Sequence, residues 1–124
     1  MIICAGINDI IWEPHSEASP IIEGLSQIVA RAHERGIRVI GATLVPARGF
    51  LGGFDAEQEL TRQVVNAWIM ENGAFDGVAD FDAALRDPAN SERLTSRYDS
   101  GDHLHPSDQG FEAIAAAVRL VDLA

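Results

Sequence analysis

Met1-Ile2-Ile3-Cys4-Ala5-Gly6-Ile7-Asn8-Asp9 opens the chain on an apolar run, a glycine and then a polar pair. A short apolar run closed by glycine reads as a buried strand. Polar side chains directly after such a strand matter, because ligands of open α/β sheets bind beyond the carboxyl ends of the strands. Working outward, Gly6–Ala18 reads as a loop. Ser19 then reads as an N-cap, with Pro20 at the first helical position. Ile21, Leu25, Ile28 and Ala32 recur at helical spacing, and Gly36 is the expected stop. Ile37–Leu44 reads as a second buried strand and Pro46–Phe54 as a loop rich in glycine and aromatic residues. Asp55 and Gln58 have the spacing of a capping box. It opens a helix with Leu60, Val64 and Trp68 on its apolar face, ending near Gly73. Gly77–Phe81 reads as a third strand and Ala83–Gly101 as mostly loop. A last helix starts near Pro106-Ser107 and buries Phe111, Ile114, Ala115 and Val118. Strands alternating with helices imply a parallel sheet with right-handed crossovers. The expectation is a single α/β domain over residues 1–124, doubly wound, with helices on both faces of about three strands.

Composition bounds the function. A chain of 124 residues with 47% hydrophobic residues can bury a core. Nine Lys and Arg against 19 Asp and Glu leave a net charge of −10. That argues against a nucleic-acid or anionic-membrane partner, since both demand clustered basic residues. The single cysteine, Cys4, excludes an internal disulfide framework and reads as a small buried hydrophobe. No stretch is apolar for long enough to span a bilayer, and none has the basic-then-apolar plan of a signal peptide. The sequence therefore names no compartment.

Two clusters could carry chemistry. Asn8, in Gly6-Ile7-Asn8-Asp9, offers a side-chain NH₂ at the end of the first strand. Preorganised amide donors are what a tetrahedral oxyanion needs. A plain turn is the alternative, because Asn and Asp stop strands routinely. The second cluster is Asp99-Ser100-Gly101-Asp102-His103-Leu104-His105-Pro106. Asp102 and His105 are close enough in a tight turn for the carboxylate to bond the imidazole Nδ1. That would leave Nε2 free as a general base. Metal binding by His103, His105, Asp102 and Asp108 is a second reading, and a solvated loop a third.

Together the clusters have the pattern of a known family. A strand followed by G-x-N-D, then a late D-x-x-H-P before the last helix, resembles the SGNH (GDSL-type) ester hydrolases. Gly6-Ile7-Asn8-Asp9 is similar to the family's third block and Asp102-His103-Leu104-His105-Pro106 to its fifth. Stretches between them, such as Val39–Leu44, Val65–Ile69 and Asp80–Pro88, are also similar. The resemblance implies a five-stranded sheet of order 2-1-3-4-5, of which this chain would hold strands 3, 4 and 5. It implies serine-type hydrolysis of a small carboxylic ester, with neither cofactor nor metal. Asn8 would donate to the oxyanion, His105 would be the base and Asp102 its orienting carboxylate. Asp9 would hold the loop beside Gly6, and Phe50, Leu51 and Phe54 could line the pocket. His103 has no standard role and would face solvent or the pocket rim.

The departure from the family is equally definite. Its G-D-S block, which carries the nucleophilic serine, has no counterpart. Ser16, Ser19, Ser26, Ser91, Ser96, Ser100 and Ser107 all lie in other contexts. Met1 opening directly on an interior-type strand suggests truncation. The expectations that follow are weak esterase activity of the chain alone, or an inactive fragment that self-associates. A metal-binding module is the remaining alternative. An unprotected apolar Met1–Ala5 edge would favour a homodimer.

Overall fold

The computed structural model describes residues 1–13, 15, 17–71 and 73–124. Three parallel strands form the centre, in the order β1 (Ile2–Ile3), β2 (Ile40–Ala42) and β3 (Gly77–Ala79). Ile2 pairs with Ile40, and Ala42 with Ala79. The strands are shorter than the apolar runs suggest; Phe81, placed in the third strand from sequence, instead begins a short helix.

Alternation along β2 sends side chains to two cores. On one face Val39 joins Leu25 and Val29 of helix α2 (Ala18–His33) and Val65 and Ile69 of helix α3 (Ala56–Glu71). On the other face Ile40, Ala42, Ala79 and Phe81 pack with Ile114 and Ala117 of the last helix, Asp108–Ala117. The sheet is thus sandwiched between helices, as the α/β reading expects. Gly41 is required: a Cβ there would come within 2.7 Å of the Phe75 ring.

Several local readings change. The segment read as a loop after β1 contains helix α1 (Ile7–Trp12), because Ile7, Ile10 and Ile11 share a helical face and Ile10 is fully buried. Gly6 makes the entry at φ 123, a value L side chains rarely adopt. Helix α2 begins one residue before Ser19, with Glu17 at the N-cap position. Its core residues are Ile21, Leu25, Val29 and Ala32, while Ile28 is 44% exposed. The segment read as loop after Ala83 holds the end of helix α4 (Phe81–Leu85). An antiparallel hairpin of β4 (Arg86–Asp87) and β5 (Asn90–Leu94) follows. The last helix, α5 (Asp108–Ala117), is capped by Ser107, whose Oγ accepts from Gly110 N. Phe111 and Ala115 of α5 are exposed rather than buried; Ile114 and Val118 are half-buried. Cys4 and Ile2 are exposed as well, because α5 packs against β2 and β3 but leaves that side of β1 uncovered.

Helix α3 departs most from its pattern. Its capping box forms as expected: Gln58 N donates to Asp55 Oδ1 and Asp55 N to Gln58 Oε1. Leu60 and Val64 nevertheless face solvent, and the buried side carries Glu59, Arg62, Val65, Asn66 and Ile69. The reason lies at the end of β2. Leu44 N donates to Asn66 Oδ1, and Leu44 O accepts from both Asn66 Nδ2 and Arg62 Nη1. Buried backbone groups need such partners. Arg62 is in turn neutralised by Glu59 at 2.6 Å and Asp82 at 3.1 Å. Burial pushes the Asp82 carboxyl up, against the pull of Arg62.

Candidate active site

Two segments follow strands at the carboxyl end of the sheet, and a third loop is tied to one of them. The α1 entry follows β1, and the segment 43–54 follows β2. The third, residues 99–106, precedes α5 and is tied to the second by Leu51 N donating to Asp102 O at 3.2 Å. Loop 99–106 closes on itself: Ser100 N donates to His105 O, and Asp99 and Pro106 form an isolated bridge. Leu104 anchors it in the main core at 6% exposure.

Asp102 organises the turn. Its Oδ1 accepts from the N–H groups of Leu104 and His105, at 2.9 and 2.8 Å. Its Oδ2 lies 2.5 Å from His105 Nδ1, so the imidazole is held in one orientation. Partial desolvation works against ionisation of Asp102. The His105 ring and the two backbone donors outweigh it and hold the carboxyl well below the usual range. The His105 side chain is 69% exposed, and its Nε2 has no hydrogen-bond partner among the described residues. An imidazole fixed at Nδ1 by a carboxylate, with Nε2 open, can act as a general base.

Asn8 lies in the first turn of α1, exposed, with no side-chain hydrogen bond among the described residues. Asp9 beside it is also exposed, and Gly6 is buried where the Ile21 side chain approaches. Phe50 is half-buried against the core and Leu51 is 76% exposed, whereas Phe54 is a core residue at 7%. No serine hydroxyl bonds to His105 among the described residues; Ser100 Oγ donates to Asp102 Oδ1 instead. Ser16 lies outside the described residues.

His103 does more than face solvent. Its Nδ1 is 2.5 Å from Asp99 Oδ2, which makes a second carboxylate–imidazole pair in the same loop. Partial burial opposes the charge on Asp99. The N–H groups of Gly101 and His103 and the His103 ring prevail and lower its pKa. The four-residue spacing of Asp99 and His103 was the only signal for this pair in the sequence. With each imidazole turned to its own carboxylate, no group of three or more potential metal ligands converges among the described residues.

In hydrolases of the triad type a histidine is oriented by a carboxylate in this way. The model of the GDSL-like Lipase/Acylhydrolase family matches residues 1–113, and the chain belongs to that family. No curated protein matches it. Among solved structures it is similar to a GDSL-like lipase from Bacteroides thetaiotaomicron. The TM-score is 0.80 at 19% identity, over 98% of this chain and 60% of that one. A candidate acylhydrolase from Bacteroides fragilis gives 0.77 at 19% identity, over 98% and 59%. A G-D-S-L family protein from Desulfitobacterium hafniense gives 0.73 at 21% identity, over 94% and 61%. At these identities the likeness speaks for the fold. The chain spans about three-fifths of the length of each of these structures. Among the described residues, no helix is long and apolar enough to cross a membrane.

Proposed function

We propose that this chain carries the acid–base half of a serine-type carboxylic ester hydrolase. The observation that supports it most is the Asp102–His105 bond, formed with the Nε2 side of the ring open. His105 Nε2 takes the proton of the attacking hydroxyl as its oxygen bonds to the ester carbonyl carbon. Asp102 stabilises the imidazolium that results. Asn8 Nδ2 donates to the oxyanion, while Gly6 and Asp9 shape the loop that presents it. His105 then returns the proton to the leaving alcohol. Phe50 borders the acyl or leaving-group side, and Phe54 supports that wall from the core.

No serine hydroxyl bonds to His105 among the described residues, and on this reading hydrolysis by the chain alone is expected to be weak. Short-chain p-nitrophenyl esters test the reading. Turnover that vanishes in His105→Ala supports it, and turnover unchanged in that variant overturns it.

A second reading is an inactive chain that self-associates. It is favoured by the outer edge of β1, which has no strand partner among the described residues and exposes Met1, Ile2 and Cys4. Two such edges could pair antiparallel into a six-stranded sheet. Sedimentation at micromolar concentration checks this, and a monodisperse monomer rules it out.

A further inference from the structure

The pair Asp99–His103 has no task in that mechanism, yet it is the better sheltered of the two. The Asp99 and His103 side chains are 10% and 42% exposed, against 31% and 69% for Asp102 and His105. His103 sits at φ 66, in the left-handed region. There the Cβ of an ordinary L residue crowds the following carbonyl, so something must hold the turn. Asp99 grips it at three points. Its Oδ1 accepts from Gly101 N at 2.8 Å and His103 N at 3.0 Å, and its Oδ2 meets the His103 ring.

The consequence appears one and two residues later. After the turn at His103, Leu104 drops into the core, and the N–H groups of Leu104 and His105 point back at Asp102 Oδ1. This geometry brings the His105 ring against Asp102 Oδ2. Ser100 N bonded to His105 O closes the loop from the other side.

We propose that Asp99 and His103 are a positioning pair, holding the left-handed turn that keeps His105 in its Nδ1–H form against Asp102. They act through His105 and need not touch substrate. The bearing on hydrolysis rests on the esterase reading; the effect on His105 does not.

The test reads the His105 tautomer by long-range proton–nitrogen NMR on the isotope-labelled chain, at a pH where the ring is neutral. The wild-type chain shows the Nδ1–H form in the majority. Asp99→Ala removes three hydrogen bonds and moves the majority to the Nε2–H form that free imidazole favours. His103→Val, whose branched side chain suits a positive φ poorly, gives the same shift. His103→Asn tolerates the left-handed backbone and keeps the Nδ1–H majority although the ring is gone. The proposal is overturned if the Nδ1–H majority persists in Asp99→Ala or His103→Val, or if His103→Asn loses it as fully as His103→Val. Should Asp99→Ala fail to fold, the two His103 variants decide. No turnover is needed, so a failed esterase reading leaves this result standing, and the reverse also holds.

Discussion

Loop 99–106 and the β1 rim stand at opposite extremes of this molecule. In the loop two carboxylates serve two imidazoles and four backbone N–H groups. At the rim Met1 and Ile2 are 47% and 42% exposed, and Ala5 opens onto a groove shared with Pro20, Gly24 and Ile28. The difference teaches that the Asp102–His105 contact is shaped mainly by its own loop, whereas the rim presents apolar surface that the described residues leave uncovered. Local hydrogen bonding can finish a turn, but an apolar strand edge is completed only by another element.

The largest effect expected on the loop side is catalytic. If the chain hydrolyses esters, His105→Ala lowers kcat by roughly 10²–10⁴-fold, the usual contribution of a positioned acid–base group. Steady-state kinetics on a p-nitrophenyl ester read this directly. An equal loss in a rim variant such as Ile2→Lys would erase the contrast between the regions.

Stability gives the next effect. Ile10 is fully buried in the core that also holds Leu104. Ile10→Ala is expected to cost about 2–5 kcal/mol, the range for emptying a core position. Denaturant unfolding measures it. A change below ~0.5 kcal/mol would mean that α1 is not part of the cooperative core.

Acid should loosen the loop before the rim. Asp99 and Asp102 both have folded pKa values below the ordinary 3.8. A depressed carboxyl stabilises the fold fully above its unfolded value, and that contribution disappears as the pH falls through the folded value. Amide and imidazole NMR across that acid range should therefore show loop 99–106 losing order while β1 signals persist. Simultaneous loss everywhere would show that the loop is not a separable unit.

The smallest effect on the monomer is expected at the rim. Ile2→Lys places a charge on an exposed side chain and should change monomer stability by no more than about 0.5 kcal/mol. If the edges pair, the same change lowers association measurably in sedimentation. Association unaffected by the lysine would move any self-contact away from β1.

The sequence by itself determined the alternation of the three sheet strands with helices α2, α3 and α5 and the capping boundaries at Asp55 and Ser107, and it made a contact between Asp102 and His105 an expectation. These depend on short-range patterns: apolar runs, cap residues and a three-residue spacing within one turn. It did not determine which side of α3 is buried. Leu60 and Val64 give one apolar row and Val65 and Ile69 another, and periodicity alone does not rank them. The tertiary structure chose the row that brings Arg62 and Asn66 to the backbone of Leu44, because the buried end of β2 needs hydrogen-bond partners more than α3 needs a wholly apolar face. The Asp99–His103 pair belongs to the same class. Its residues are four apart in a polar loop, and only the left-handed backbone at His103 brings the ring to the carboxylate.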